Sequence, residues 1–231
     1  DCYISNNSSQ TFGGIIGFKG SGNTLCFEGV NVLDYNIGGG ANPAAIHVDT
    51  ETELSIEGSG TLYFYKSAQG SGIGGSTGEL NGDITFSMTG AAFLKGTKQG
   101  ALVGAGSNSK NVEGVPGKIV FESGSYNLVS NSRGAAIGGS AGAGGGSAGT
   151  NVYVKGGTVN INVDYTGAAV GGGGYATGND ASGGTIYISG GSLRTYVDEN
   201  AANGSETGYQ GAPYTAGIND AAITAARKDG A

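Results

Sequence analysis

The sequence predicts an all-β chain, a solenoid of about six to seven coils with three short parallel strands in each coil. Three observations lead there. First, apolar residues recur along the chain at steps of 29 to 35 residues: Leu25, Leu54, Ile84, Ile119, Val152 and Ile186. Second, the residue two further on is apolar every time (Phe27, Ile56, Phe86, Phe121, Val154, Ile188), whereas the residue between varies: Cys26, Ser55, Thr85, Val120, Tyr153, Tyr187. That period of two is a strand with one buried face. Third, 50 of the 231 residues are Gly, only three are Pro and none is Trp. This is far above ordinary Gly usage of roughly 7%. With no Gly-X-Y period the chain is not collagen-like, and the regular β-branched and aromatic alternation excludes disorder.

Each unit carries the same three pieces. A short run of small residues ends in an aliphatic one: Ile16, Ile46, Ile73, Val103, Ile137 and Val170 close the copies, and Ala216-Gly217-Ile218 is a candidate seventh. The inward-outward strand described above follows. After a Gly turn comes a second strand, with copies at residues 31–33, 61–65, 91–94, 126–129, 158–163 and 192–197. Uncorrelated strands joined by hairpin turns would indicate a sandwich, and a propeller blade needs four strands in about 40 residues. One coil of this kind cannot bury its own inward side, but stacked coils align like with like into a continuous core. Insertions fall mainly after the small-residue strand, at 74–83, 105–117, 138–150 and 171–185, which puts them on one edge of the solenoid. Such an edge is a natural binding surface.

Residues 1–231 therefore form one domain: an edge or cap at 1–11, regular coils at 12–197, and a polar insertion with a terminal coil or cap at 198–231. Residues 220–228 begin with Asp220, a good N-cap, and are expected to form a short helix. The chain starts at Asp1 rather than Met and ends at Ala231 with no obvious stop. It is expected to be a trimmed piece of a larger surface protein, cut inside a further coil. Cys2 and Cys26 leave two readings open, a disulfide that suits an oxidising compartment or two unrelated thiols. The single histidine, His47, lies in an Ala-Ile-His-Val stretch and reads as a ladder position rather than a catalytic base.

Net charge is −7 and the pI is about 4.6. No block of clustered Lys and Arg exists, so nucleic acid is not expected as a ligand. No apolar run of 18 or more residues occurs, so no membrane insertion is expected.

The repeated AAIGG or GIGG corner, followed by a strand, Gly-Gly and a second strand, resembles right-handed parallel β-helices of the pectate-lyase-like superfamily. More narrowly it is similar to Gly-rich surface proteins of gut and clostridial bacteria. The resemblance spans about residues 13–197 and is carried by structural positions. It implies a right-handed coil and an extracellular, secreted or cell-surface location. Among such proteins are carbohydrate-binding domains, some calcium-dependent. The superfamily also contains lyases, glycosidases and adhesins, and fold alone does not choose among them.

The residues offer two kinds of chemistry. Outward tyrosines come first. Tyr153 and Tyr187 occupy equivalent positions on successive coils and should stack side by side. Tyr63, Tyr65 and Tyr196 project from the second strand, with Asn160, Asn162 and Asp164 alternating nearby and Arg194 beside them. Aromatic faces with polar tips suit sugar rings, and the same residues would also serve as a ladder that merely stabilises the sheet. Carboxylates come second. Glu28, Glu57 and Glu122 are read at one ladder position, with Glu28 and Glu57 adjacent. Asp49, Glu51 and Glu53 alternate close by. Stacked carboxylates repel unless a cation bridges them, and Ca²⁺ takes such oxygen ligands; a solvated acidic face is the plainer reading. Asn179, Asp180, Asp198, Glu199 and Glu206 form a further loop group with no fixed geometry. The leading expectation is a non-catalytic binder of polysaccharide or host glycan, with Ca²⁺ as a candidate cofactor. A protein-binding adhesin stalk and a glycoside hydrolase or lyase are the alternatives. A lyase would need a basic residue within an acidic cluster, and no convincing one stands out.

Overall fold

The computed structural model describes residues 2–6, 14–37, 42–109, 111–142, 147, 149–165, 167–173, 183–197, 215–216 and 223–227. Among them every regular element is a strand, all pairings are parallel, and the strands stack as a β-solenoid of about five turns. The turn count is lower than the expected six to seven, because the six strands of the short sheet bound five intervals.

That short sheet forms one corner of each coil. Its strands are only two residues long: Ile16–Gly17, Ile46–His47, Ile73–Gly74, Val103–Gly104, Ile137–Gly138 and Val170–Gly171. They pair in that order, aliphatic on aliphatic and, His47 apart, glycine on glycine. The corner bends so sharply that Gly74, Gly104, Gly138 and Gly171 have φ between 124° and 146°. A Cβ on Gly74 would lie 2.0 Å from Gly104 O, and one on Gly104 would lie 2.1 Å from Gly138 O. Both backbone conformation and space therefore demand glycine there. The first two rungs escape this: Gly17 has open space around it, and His47 takes the place of glycine on the second rung.

The other strands join one large sheet with two faces. The first face holds Asn23–Cys26, Glu53–Glu57, the opening of Asp83–Lys98, the opening of Ile119–Ser132, Val152–Val154, Thr185–Ile188 and Thr215–Ala216. The second holds Cys2–Asn6, Val30–Asn36, Thr61–Ser67, the remainder of the two long strands, Thr158–Val163, Ser192–Val197 and Ile223–Arg227. Between the faces most rungs turn on a glycine at positive φ, as at Gly29, Gly58, Gly124, Gly157 and Gly191.

Inward residues stack rung on rung. Leu54, Ile84, Ile119, Val152 and Ile186 are direct ladder neighbours and essentially inaccessible. On the second face Leu33, Phe64, Leu94, Leu128 and Ile161 do the same. On the central rungs Phe86 and Phe121 stack with centroids 4.9 Å apart, and Tyr126 meets both edge-on at 5.3 and 5.1 Å. Offset and edge-on arrangements are those that ring quadrupoles favour.

Three expectations need correction. Leu25 pairs with Ile56 and Asn23 with Leu54, so the first coil is shifted by two residues from the expected register. Ala216 pairs with Ile186 on the first face and is not a seventh corner strand. Ile223–Arg227 is a strand paired with Ser192–Val197, where a helix was expected; the open ladder of the preceding rung supplies hydrogen bonds that override the helical propensity of its alanines.

One charged group lies inside. Lys66 is 3% exposed, and its Nζ donates to Gly100 O at 2.9 Å. Gly96, its ladder neighbour, leaves the space that the lysine stem fills. Desolvation, with Lys98 adding like charge, pushes the Lys66 pKa down to about 7.

Two tests follow from this core. Gly104→Ala should lower unfolding free energy by about 2–4 kcal/mol through positive-φ strain and the clash with Gly138, whereas Gly17→Ala should change it by less than about 0.5 kcal/mol; urea unfolding midpoints measure both. Lys66 is depressed in the folded state, so between its folded pKa of about 7 and its ordinary value of 10.5 the unfolded chain binds more protons. Stability should therefore rise with pH across that window and level off below it. Lys66→Met should be more stable at neutral pH and should lose that rise, as read from melts at pH 7 to 10.

Candidate functional site

The outer side of the first face carries a column that crosses the molecule. Thr24 pairs with Ser55, Ser55 with Thr85, Thr85 with Val120, Val120 with Tyr153 and Tyr153 with Tyr187. Strand alternation turns each of these side chains away from the core. The column thus changes from hydroxyls on the early rungs to aromatic rings on the late ones. Val120 lies at the change and is itself covered, at 3% exposure.

The hydroxyl end forms the floor of an open trough of about 220 Å³, walled by Asn23, Glu53, Asp83 and Lys118. Asn23 is fixed by its amide, which donates to Gly20 O at 2.8 Å and to Glu53 O at 3.0 Å. Lys118 closes the other end. Its Nζ lies 2.7 Å from Asp83 Oδ2, and its backbone N–H donates to Asp83 Oδ1 at 2.9 Å. The Lys118 pKa is raised, chiefly by the hydrogen bond and charge of Asp83, with Glu53 and Tyr153 contributing. The salt bridge therefore marks the end of the trough nearer the tyrosines.

Tyr153 and Tyr187 stack with centroids 4.8 Å apart and planes 11° from parallel. The separation matches the rung spacing of a sheet, roughly 4.8 Å, so the register sets this platform directly. The two rings form one flat, half-buried aromatic surface with hydroxyl tips.

The other expected sugar-binding residues lie on the second face, in two columns. One runs Tyr63, Phe93, Asn127, Asn160, Arg194. Tyr63 and Phe93 stack at 5.2 Å and 12°, and Asn160 Nδ2 donates to Asn127 Oδ1 at 3.1 Å. The neighbouring column runs Tyr65, Lys95, Val129, Asn162, Tyr196. Tyr65 and Tyr196 are well exposed, at 45% and 53%, but four rungs separate them, about 19 Å at the usual strand spacing. The eight residues are thus one compact pair on one face and six spread residues on another. Phe93 was missed because it sits in the apolar run Ala91-Ala92-Phe93-Leu94; its outward side follows only once Tyr63 is placed opposite it.

The carboxylates are arranged differently from expectation. Glu57 pairs with Cys26, not with Glu28, so Glu28 and Glu57 are not ladder neighbours. Glu28 turns to Ser59, accepting from its hydroxyl at 2.5 Å and its N–H at 3.3 Å, and these bonds lower its pKa. Cys26 is a free, exposed thiol whose Sγ lies 3.6 Å from Glu28 Oε1. Asp49 shapes a turn by accepting from Glu51 N–H (3.1 Å) and Thr52 Oγ1 (2.7 Å). Glu122 pairs with Lys155 at 3.2 Å. Among the described residues no group of three or more His, Cys, Asp and Glu is placed to hold a metal ion. Asn179, Asp180, Asp198, Glu199 and Glu206 lie outside the described residues.

His47 occupies the ladder position expected of it, and its partner could not be foreseen. His47 Nε2 lies 2.7 Å from Glu79 Oε2, and Glu79 also accepts from Ser76 N–H at 2.9 Å. The pair pins the loop above the corner. Hydrogen bonding to Glu79 raises the His47 pKa, and the same bond lowers that of Glu79.

No protein-family model, no curated protein and no solved structure matches this chain.

The His47–Glu79 pair has a defined pH window. The raised His47 contributes stability that is complete below its ordinary pKa of 6.5 and is lost as pH rises through its higher folded value. The lowered Glu79 contributes stability that is complete above 4.5 and is lost as pH falls through its lower folded value. The melting-temperature gap between the native chain and His47→Ala should be widest between pH 4.5 and 6.5 and should shrink on both sides.

Proposed function

We propose that this chain is a non-catalytic polysaccharide-binding β-helix of a secreted or cell-surface protein. The stacked Tyr153–Tyr187 platform at the end of the hydroxyl trough carries this reading. A pyranose ring offers an apolar C–H face to an aromatic surface, while its hydroxyls need donors and acceptors at the margin. Tyr153 and Tyr187 supply the first, and Thr85, Ser55, Thr24 and Asn23 supply the second along a straight line. A linear glycan lying along the solenoid axis would meet both in turn. The second-face residues Tyr63, Tyr65, Tyr196, Asn160, Asn162 and Arg194 would form an accessory contact for a longer chain.

The corner motif resembles right-handed pectate-lyase-like β-helices and Gly-rich carbohydrate-binding domains of gut and clostridial surface proteins, which supports both the ligand class and the extracellular setting. Of the two carboxylates in the trough, Glu53 and Asp83, the second is tied to Lys118 in a salt bridge, which supports binding rather than general acid-base cleavage.

Binding of the purified chain to a panel of neutral and acidic polysaccharides, with calcium and with chelator, tests the proposal. At least one polysaccharide should bind. Tyr153→Ala and Tyr187→Ala should each weaken binding about tenfold, the scale of one lost aromatic contact, while Tyr65→Ala should have a smaller effect. Undiminished binding by the double tyrosine variant, or no binding to any polysaccharide in either condition, would overturn it.

A further inference from the structure

Three successive rungs of the second face, Val30–Asn36, Thr61–Ser67 and the later part of Asp83–Lys98, form a small grid on their outer side. Alternation sends every second residue outward, and the pairing sets those residues in straight columns. The first column runs Val30, Thr61, Ala91; the middle one runs Val32, Tyr63, Phe93; the third runs Asp34, Tyr65, Lys95. A corner concavity of about 360 Å³, lined by Gln69, Lys98, Gln99, Asn131, Arg133 and Tyr165, lies past the ends of these columns and takes no part in the grid.

The grid is apolar in the middle and open to water. Tyr63 and Phe93 stack on each other, yet Phe93 remains 40% exposed, and Val30 and Tyr65 are 46% and 45% exposed. Phe93 has no polar tip that gains from solvent, so covering it is favourable. A contiguous apolar cluster with a charged rim is the mark of an association surface. Further along the middle column Asn127 and Asn160 replace the rings, and the cluster ends there.

The rim charges say what fits. Asp34 and Lys95 stand one rung to either side of Tyr65, about 10 Å apart at the usual strand spacing. Among the described residues neither makes an ion pair or a side-chain hydrogen bond. Consider a half-turn about a line lying in the face, perpendicular to the solenoid axis and passing through the rung of Tyr63 and Tyr65. It sets Val32 of one copy opposite Phe93 of the other, Val30 opposite Ala91, and each tyrosine opposite its own counterpart. It also sets Asp34 opposite Lys95, twice. The surface is complementary to itself.

We propose that this grid is where two copies of the chain pair, face to face and antiparallel, about a two-fold axis. Such an interface uses the same patch on both copies and closes at two. The grid carries one charge of each sign in a chain of net charge −7, so copies can meet there without like charges facing each other. A neutral glycan would leave both rim charges unused and find no hydrogen bond at Val32 or Phe93. Pairing covers Tyr63 and Tyr65, whereas Asn160, Asn162, Arg194 and Tyr196 lie three and four rungs from the axis and stay outside the grid. The grid spans roughly 300 Å² per copy from rung and strand spacings. Pairing is therefore weak, with a dissociation constant of about 0.1–1 mM.

Sedimentation equilibrium of the purified chain at about 0.02–2 mM brackets that constant. A monomer–dimer equilibrium with no larger species is expected. Asp34→Lys and Lys95→Asp should each weaken pairing at least about tenfold, because each sets like charges opposite each other twice. Phe93→Ser should weaken it about tenfold. The double variant with Asp34→Lys and Lys95→Asp together should pair as the native chain does. An equal mixture of the two single variants should form a mixed dimer of native strength, a recovery that misfolded variants would not show. A chain that stays monomeric at the highest concentration, assembly beyond two, indifference to the charge reversals, or no recovery in the swap and the mixture would overturn the proposal. A monomer whose Phe93→Ser variant loses polysaccharide binding would also overturn it and assign the face to glycan.

Discussion

At the corner that closes the coils from the third rung on, successive backbones pass so close that one added carbon has no room. The carbonyl of Gly104 sits where a side chain on Gly74 would go, and that of Gly138 where one on Gly104 would go. This contact sets the pitch and bends the chain. It thereby forces the two remaining strands of each coil to lie over their counterparts. The core columns, from Leu54 to Ile186 and from Leu33 to Ile161, are consequences of that stacking. So is the tyrosine platform, whose ring separation is that of the rungs beneath it.

Much of this was legible because a repeat averages out local ambiguity. Ile119, Val152 and Ile186 stack as their spacing implied, and Tyr153 lies on Tyr187. The errors are just as instructive. A strand shifted by one residue turns its apolar side outward, which the pattern forbids. A shift by two keeps every residue on its proper side, and alternation cannot detect it. That is how Leu25 was aligned with Leu54 when its partner is Ile56, and how Glu28 was set beside Glu57. Ala216 was placed at a corner for another reason, because Ala216-Gly217-Ile218 copies the corner motif, although Ala216 lies over Ile186.

The parts of the sites that escaped the sequence share another property. Their residues come from different rungs and meet across loops of unequal length. His47 and Glu79 are 32 positions apart and lie on a strand and a loop. Gln69, Lys98, Arg133 and Tyr165 come from four coils, and no short motif joins them. Column positions repeat and can be counted, whereas corner pockets depend on how each loop departs from the repeat. The trough is intermediate: its hydroxyls form a countable column, but the Asp83–Lys118 pair that shuts its end does not.

The two long strands, Asp83–Lys98 and Ile119–Ser132, each pass through both faces and pair from Ile84–Ile119 to Lys98–Ser132, with register shifts only between Phe121 and Ser125. Among the described residues the other rungs that show both faces are interrupted between them. Under traction between the two ends, the outer coils would peel away singly while this central seam remained shut. The molecule is then a yielding spring with a firm middle; the trough and the corner pocket draw residues from that seam, and the platform stands on the rung beside it.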